Sequence, residues 1–383
     1  MILSEPEKNT DERKVDFGSR AARAAIRSIV FVSPGGLTGG GGMGSVTRAM
    51  HAWWQSERPQ TLLHVLDPHG DRQAWLWPLF FVRALLALCA IRFQGPVDVV
   101  HIQVSQRSSI WRKGVFVLLA KAMGSATVLH HHGSEFVAWV ERSNLLTRSW
   151  TFAIARRAGM NVVLGEATRR YLVDVAGVPE SRVVVRFNAV PDILDDSQGQ
   201  EPDPWHLLIV ANLSPRKGVS ELLQSVAALA KEGHPVQLTL AGGGEVDRYV
   251  AEAKALGIAH LCRFCGWLPG KQVAGLINSH GALVLPSHNE GMPMAILEAL
   301  SARLPVIATP VGAIPEVLQH DENCLFVPPG QVPELTDAIR QLSTDEALRQ
   351  HLAGNGRRLF EEKFDLDPYM QRMASLYLSV LDR

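Results

Sequence analysis

The sequence predicts an α/β protein made of two tandem Rossmann-like domains that face each other across a cleft. Three observations predict it. Short β-branched runs alternate with helical stretches along all 383 residues. That length is more than one ordinary core accommodates. A stretch rich in proline, aspartate and glycine, "NAVPDILDDSQGQEPDPWH", places a linker near residues 192–204 and splits the alternation into two similar halves.

In the first half the strand candidates are "SIVFVS", "TLLHVLD", "VDVVHIQ", "TVLHHH", "NVVLG" and "RVVVRF". In the second half they are "HLLIVAN", "VQLTLAG", "CRFCGWL", "ALVLPS", "PVIATP" and "CLFVPP". Such apolar runs suit parallel strands covered on both faces. Helical patterns such as "GVSELLQSVAALAKEG" lie between them, and this alternation gives doubly wound sheets. The expected units are a polar, flexible leader over residues 1–25, a first domain over 26–195 and a second over 202–364. Ligands of such sheets bind outside the carboxyl ends of the strands, so the cleft is the expected site.

Bulk composition narrows the function classes. Apolar residues make up 46% and charged residues 20%, as in ordinary globular proteins. Lysine plus arginine equals aspartate plus glutamate at 38 each, which argues against a nucleic-acid partner. Four scattered cysteines do not make a disulfide framework. The "CRFC" pair reads as part of a strand, whereas redox pairs of that spacing open a helix, so the thiols are expected to be free and the compartment cytoplasmic. The N-terminus lacks a signal-type apolar core. The most apolar run, residues 76–93, is interrupted by Arg83, and its uninterrupted part is too short to span a bilayer. Two readings stay open for it: a buried helix, or a helix lying on the inner face of the cell membrane.

Four stretches carry candidate chemistry. After the first strand, six glycines fall within residues 35–42. Gly41 and Gly42 can bring backbone N–H groups to an anion, and a helix expected near Ser45 adds its positive end. Gly39, Gly41 and Gly44 match G-x-G-x-x-G, which alone is a weak signal; a plain flexible loop is the competitor. In "VLHHHGSEF", His130 and His132 share one strand face and His131 takes the other. His132 ends the strand, where a ligand sits; a structural histidine is the alternative. No cysteine or carboxylate at ligand spacing accompanies the histidines, so no metal is expected. In "ANLSPRKGVS", Arg216 and Lys217 precede a helix beginning near Gly218, which suits a phosphate; solubility alone also accounts for the pair. In "NEGMPMAILEA", Glu290 stands at a strand–helix junction and Glu298 about two turns into the helix. Pro293 suits the first helical position. Carboxylates accept hydrogen bonds from paired hydroxyls, and Gly291, Met292 and Met294 offer backbone N–H groups. Together these suit a ligand with an anionic middle and hydroxylated ends, such as a nucleotide sugar. The plainer account makes Glu298 a solvated helix residue and Glu290 a loop residue.

At this point the sequence resembles the retaining glycosyltransferases of GT-B architecture that carry an E-x7-E motif (group 1, family 4 type). The resemblance runs from about residue 28 to the C-terminus. It is strongest in "LVLPSHNEGMPMAILEALSARLPVIATPVGAIPEVL" and "CLFVPPG". It implies that Glu290 binds a hydroxyl of the transferred sugar and Glu298 the ribose hydroxyls. It also implies that Lys217, with Gly41 and Gly42, meets the donor diphosphate, that His132 touches the sugar near the reacting carbon, and that Trp267 and Leu268 border the base. The family's arginine after the strand is here Asn212, with Arg216 a geometric substitute, and its linker-side "NG" is Asn188-Ala189. The last segment resembles the family's terminal helix, which adds residues 365–383 to the first domain.

The resemblance implies transfer from a nucleotide-diphosphate sugar, with no metal or other cofactor, to a glycan or lipid-linked glycan acceptor in bacterial surface polysaccharide synthesis. In that account Lys217, Arg216 and helix N-termini stabilise the leaving diphosphate, and the two glutamates bind substrate. Segments such as "SIWRKGVFVLLAKAMG" mix basic and apolar residues and suit an anionic membrane surface as partner; ordinary surface helices are the alternative. The alternatives are a nucleotide-sugar epimerase, a soluble-acceptor synthase, or a catalytically silent scaffold.

Overall fold

The computed structural model of the chain describes residues 26–70, 76–195 and 202–382. The expected leader, residues 1–25, lies outside the described residues. The first sheet comprises β1 (Ser28–Val32), β2 (Leu62–Leu66), β3 (Val99–Val104), β4 (Ala126–His131), β5 (Met160–Val163) and β6 (Val183–Val185). The second comprises β7 (His206–Val210), β8 (Gln237–Ala241), β9 (Cys262–Gly266), β10 (Ala282–Leu285), β11 (Val306–Ala308) and β12 (Leu325–Phe326). Their orders are β2-β1-β3-β4-β5-β6 and β12-β11-β10-β7-β8-β9. Every strand pair is parallel. All twelve apolar runs of the sequence are thus strands; in the central ones burial on both faces selects unbroken β-branched and aliphatic residues, whereas β2 and β9 stay partly exposed at the edges.

The helices are α1 (Gly41–Glu57), α2 (Trp77–Gln94), α3 (Ser108–Ala122), α4 (Phe136–Arg142), α5 (Leu145–Arg157) and α6 (Glu166–Arg170), followed by α7 (Val219–Lys231), α8 (Val246–Ala255), α9 (Gly270–Ile277), α10 (Met294–Ser301), α11 (Val332–Thr344), α12 (Glu346–Lys363) and α13 (Leu366–Leu381). One cluster of core residues serves the second sheet. Two more pack the two faces of the first. Leu366, Tyr369, Met370, Met373 and Tyr377 of α13 pack with Ile29, Phe31 and Trp54. The last described helix therefore completes the first domain's core.

Two helix starts differ from the sequence expectation. α1 begins at Gly41, four positions before Ser45. The first-turn N–H groups of any helix lack intrahelical partners, so glycines are tolerated there. Gly44 is also needed for packing, since a Cβ on it would lie 2.0 Å from the carbonyl oxygen of Gly39. Pro293 is the residue before α10 rather than its first, with an extended ψ of 126°.

α2 is long and apolar enough to cross a membrane by length and composition, yet only 11% of it is buried. Ala84 and Leu88 pack against the first sheet, while Leu79, Val82, Leu86 and Phe93 are exposed. Of the two readings of this segment, the buried helix is the one the structure does not bear out. The four cysteines are free, and Cys262 and Cys265 lie on β9. Burial pushes the Cys262 thiol up to about 11.

Candidate functional site

In each sheet the strand order reverses beside the first strand of its domain, between β1 and β3 and between β7 and β10. Crevices open at such switch points, and the loops after these strands meet there. They line a cleft of about 960 Å³ between the two sheets. The glycines after β1, the Ser105–Arg107 turn after β3 and His132 after β4 form one wall. Asn212, Arg216 and Lys217 after β7, Gly242 and Gly243 after β8, and Glu290–Met294 after β10 form the other. Trp267, Leu268 and Glu298 complete it.

The centre of the second wall is an ion pair. Lys217 ends a 3₁₀ turn, Pro215–Lys217, which carries its side chain toward β10. Its ammonium donates to Glu290 Oε1, and both residues are buried. Ser287 Oγ donates to the same carboxylate oxygen at 2.7 Å. Arg216 Nη1 donates to the carbonyl oxygen of Asn289 at 2.9 Å and stands 4.0 Å from Glu290 Oε2. A buried carboxylate must be paired and hydrogen-bonded to stay charged, and here it is both. Gly218, next in the chain, has φ +67° and no room for a side chain, since a Cβ would meet the Pro286 carbonyl oxygen at 2.0 Å. It shapes the turn from behind; unlike Arg216 and Lys217 it does not line the cleft.

Glu298 contrasts with Glu290. It lies on α10, lines the cleft, and its carboxylate has no partner among the described residues. Burial pushes its pKa up from 4.5 to about 7. A carboxyl held out of water without a cation or donor is poised to accept hydroxyl protons from a ligand. Gly291, Met292 and Met294 also line this wall. The carbonyl of Met292 is held by Asn188 Nδ2 from across the domain boundary, at 3.0 Å.

On the first wall, Gly41 has φ +71° and open space around its Cα. A Cβ on Gly42 would lie 3.8 Å from Met294, and one on Gly40 3.9 Å from Trp267 Nε1. The glycines thus let the two walls approach. The histidines separate as the alternation predicts. His131 turns away to Asn161, at 3.0 Å. The rings of His130 and His132 touch at a 39° tilt, with centroids 4.0 Å apart. Behind them runs a buried chain: Tyr377 of α13 bonds His101 Nδ1 at 2.8 Å, and His101 Nε2 bonds His130 Nδ1 at 3.3 Å. Burial pushes His132 down to about 3, with the charges of His101 and Lys113 adding to the effect. The imidazole facing the cleft is therefore neutral near pH 7. Among the described residues no group of three or more His, Cys, Asp or Glu is placed to hold a metal ion.

The two walls are clasped at one edge. Both carboxylate oxygens of Glu316, from the second domain, accept from the backbone N–H of Glu166 at the start of α6, at 2.9 and 3.1 Å.

The structure thus brings His132, Lys217, Glu290, Gly41, Gly42, Asn212, Arg216, Leu268, Gly291, Met292, Met294 and Glu298 to one cleft, and places Gly218 just behind it. Sequence reasoning missed Ser287, the glycine turn Gly242–Gly243, and the first-wall residues Ser105–Arg107. The "AGGG" directly after β8 was the available signal for the turn.

Two parallel doubly wound domains with a ligand-sized cleft between their carboxyl edges define a GT-B protein. Residues 192–359, under half of the chain, match the family model described as Glycosyl transferases group 1. A protein of Methanocaldococcus jannaschii, described as an uncharacterized glycosyltransferase, is 24% identical over 230 residues, which are 56% of this chain and 59% of that protein. The chain thus spans under two thirds of that relative's length. Sucrose-phosphate synthase from Thermosynechococcus elongatus has a similar structure, with TM-score 0.77 and 18% identity over 93% of this chain and 99% of that one. HepE of Anabaena in complex with UDP-glucose is similar at TM-score 0.72 and 17% identity, covering 92% and 99% of the two chains.

Proposed function

We propose that the protein is a retaining glycosyltransferase that moves a sugar from a nucleotide-diphosphate sugar to a glycan or lipid-linked glycan, in the synthesis of bacterial surface polysaccharide. The observation that carries this reading is the pairing of unlike carboxylates on one wall: Glu290 neutralised by Lys217, and Glu298 half-buried with no partner among the described residues. The solved HepE complex with UDP-glucose supports the donor class, as a protein of the same fold.

The chemistry follows from charge. Lys217 and Glu290 satisfy each other. A diphosphate arriving beside Lys217, Arg216 and the N-termini of α1 and α10 competes for the ammonium, and sugar hydroxyls then donate to Glu290 in its place. Ribose hydroxyls donate to Glu298. As the bond from the anomeric carbon to the phosphate oxygen breaks, negative charge grows on the diphosphate, where the fixed positive groups already stand. Stabilisation of that developing charge lowers the barrier. The acceptor oxygen attacks the same face, and its proton passes to the departing phosphate oxygen. His132, neutral, offers hydrogen bonds to the sugar rather than acid catalysis. The chain's own groups suffice for these steps, so no metal or other cofactor is invoked.

The first domain binds the acceptor in this reading. The exposed apolar face of α2, with Arg83 and Arg92 on the same helix, docks on an anionic membrane, which makes the enzyme cytoplasmic and peripheral.

The test is a thermal-shift panel of UDP-, GDP- and ADP-sugars, followed by anomer analysis of the product with the best donor. One donor should stabilise the protein, and the new bond should keep the donor's configuration. A free epimerised sugar would replace this reading with an epimerase. Stabilisation without any turnover would replace it with a silent scaffold.

A further inference from the structure

The glycine turn after β1 is held by one side chain. Arg48, two turns into α1, reaches back along the helix to the chain that precedes it. Its Nη1 donates to the carbonyl oxygen of Gly39 at 2.6 Å and to that of Leu37 at 3.5 Å, and its Nη2 donates to Ser45 Oγ at 3.0 Å. Arg48 is half-buried and lines the cleft beside Ser45 and the glycines. An arginine is an unusual choice there. The macrodipole opposes a cation near a helix N-terminus, and the first turn of α1 holds neither an acidic residue nor a side-chain cap. The charge-assisted bonds to the turn's carbonyl groups offset that repulsion.

The turn has a physical need for such a brace. Gly39 to Gly42 are four consecutive glycines, the residue type that loses most conformational freedom on ordering. Gly39 is the tightly packed point: a Cβ on it would lie 2.5 Å from the carbonyl oxygen of Pro34. Its own carbonyl oxygen rests against Gly44, where a Cβ would lie 2.0 Å away, and takes the shortest of the Arg48 bonds. A peptide unit is planar, so fixing the Gly39 carbonyl also fixes the direction of the Gly40 N–H. No described group accepts from the N–H groups of Gly39 to Gly42. The turn thus presents unpaired donors, and its one side-chain tether is Arg48 among the described residues.

We propose that Arg48 is a positioning residue for the donor. It holds the glycine turn in the conformation that meets the diphosphate, and it acts through the backbone rather than on the ligand. The proposal rests on the nucleotide-sugar reading of the cleft. It assigns the order of the turn to a residue outside the motifs that suggested that reading. Pre-ordering four glycines before the ligand arrives removes an entropy cost from binding.

Backbone relaxation of the full chain by NMR and calorimetric titration with UDP, GDP and ADP test this together. In ligand-free Arg48→Met the order parameters of the Gly39 to Gly42 amides should fall from about 0.85 to below about 0.6. Affinity for the diphosphate that binds best should fall at least about tenfold, as the ordering cost returns. Affinity for its nucleoside, read by competition, should stay unchanged. Arg48→Lys keeps the charge and reaches one carbonyl at a time, so both effects should be partial; it also serves should Arg48→Met fail to fold. Weaker diphosphate binding with unchanged order overturns the proposal, because Arg48 then touches the ligand directly. Lost order with unchanged affinity overturns it too, because the turn then has no bearing on the donor. Equal losses for diphosphate and nucleoside reduce Arg48 to a structural role and also overturn it. All three leave the donor reading standing. A wild type that binds none of the three diphosphates sinks the donor reading and the proposal with it, an outcome seen before any substitution is made.

Discussion

Glu298 makes the stability of the empty protein depend on pH in a direction opposite to that of most carboxylates. Its folded pKa of about 7 lies above its ordinary value of 4.5. Below 4.5 the carboxyl is protonated both folded and unfolded, and it costs nothing. Between 4.5 and 7 the unfolded chain releases the proton while the folded chain keeps it, so stability falls as pH rises. Above 7 the penalty is complete. At about 1.4 kcal/mol per pH unit it reaches roughly 3 kcal/mol as an upper figure. Glu298→Gln removes the titration while keeping the shape, and so should gain up to about 3 kcal/mol over the wild type at pH 8 and nearly nothing at pH 4.5. Urea unfolding at the two pH values reads this directly. A ligand that donates hydroxyl protons to the carboxylate should pull the pKa back down, so nucleotide-sugar binding at pH 7 should release a proton, detectable by titration in two buffers of different ionisation enthalpy. Wild-type and Glu298→Gln stabilities that run parallel from pH 4.5 to 8 would refute the argument.

Other expected outcomes follow from the same geometry. Lys217→Ala leaves Glu290 buried without its ammonium. Ser287 and Arg216 still face the carboxylate, so the stability loss should stay near 3 kcal/mol or below, the low end for a broken buried pair; transfer should fall by about 10²- to 10³-fold, read from initial rates with the best donor. Gly218→Ala forces a Cβ into the Pro286 carbonyl at positive φ and should cost at least about 2 kcal/mol, seen as a lowered Tm, although the residue does not line the cleft. Leu79→Asp with Leu86→Asp should abolish co-sedimentation with anionic vesicles at low salt. Both side chains are exposed, so stability should change by no more than about 0.5 kcal/mol per site. Unchanged sedimentation would remove α2 as the docking face.

How much of this was legible in the sequence depended on how local the cause was. The central strands were readable because two-sided burial writes itself into consecutive residues such as "SIVFV" and "ALVL". The stretch from Asn289 to Ala299 was readable because glycine and proline mark a strand–helix junction. Distant contacts leave no such mark. Lys217 and Glu290 stand 73 residues apart, and nothing in either segment announces that they meet. The start of α1 at Gly41 was misjudged because helix propensity says little about a first turn, where the backbone N–H groups are unpaired in any case. Lys113 looked like one charge among several on a basic surface helix; only the packing of α3 on β3 and β4 puts it inside. Exposure of α2 was equally invisible, since an apolar run reads the same whether it faces a core or a bilayer.

The return of α13 to the first sheet sets an order of events at the ribosome. Tyr377 meets His101 across 276 residues, and Asp367 meets Trp53 across 314. The amino-terminal lobe therefore emerges with one side of its sheet covered by α1 alone and waits, through synthesis of the whole second lobe, for the helix that completes it. Loops that long are slow to close, so the second lobe is expected to reach its native packing first. During that interval the open part of that sheet face is the part of the nascent chain with most need of a chaperone.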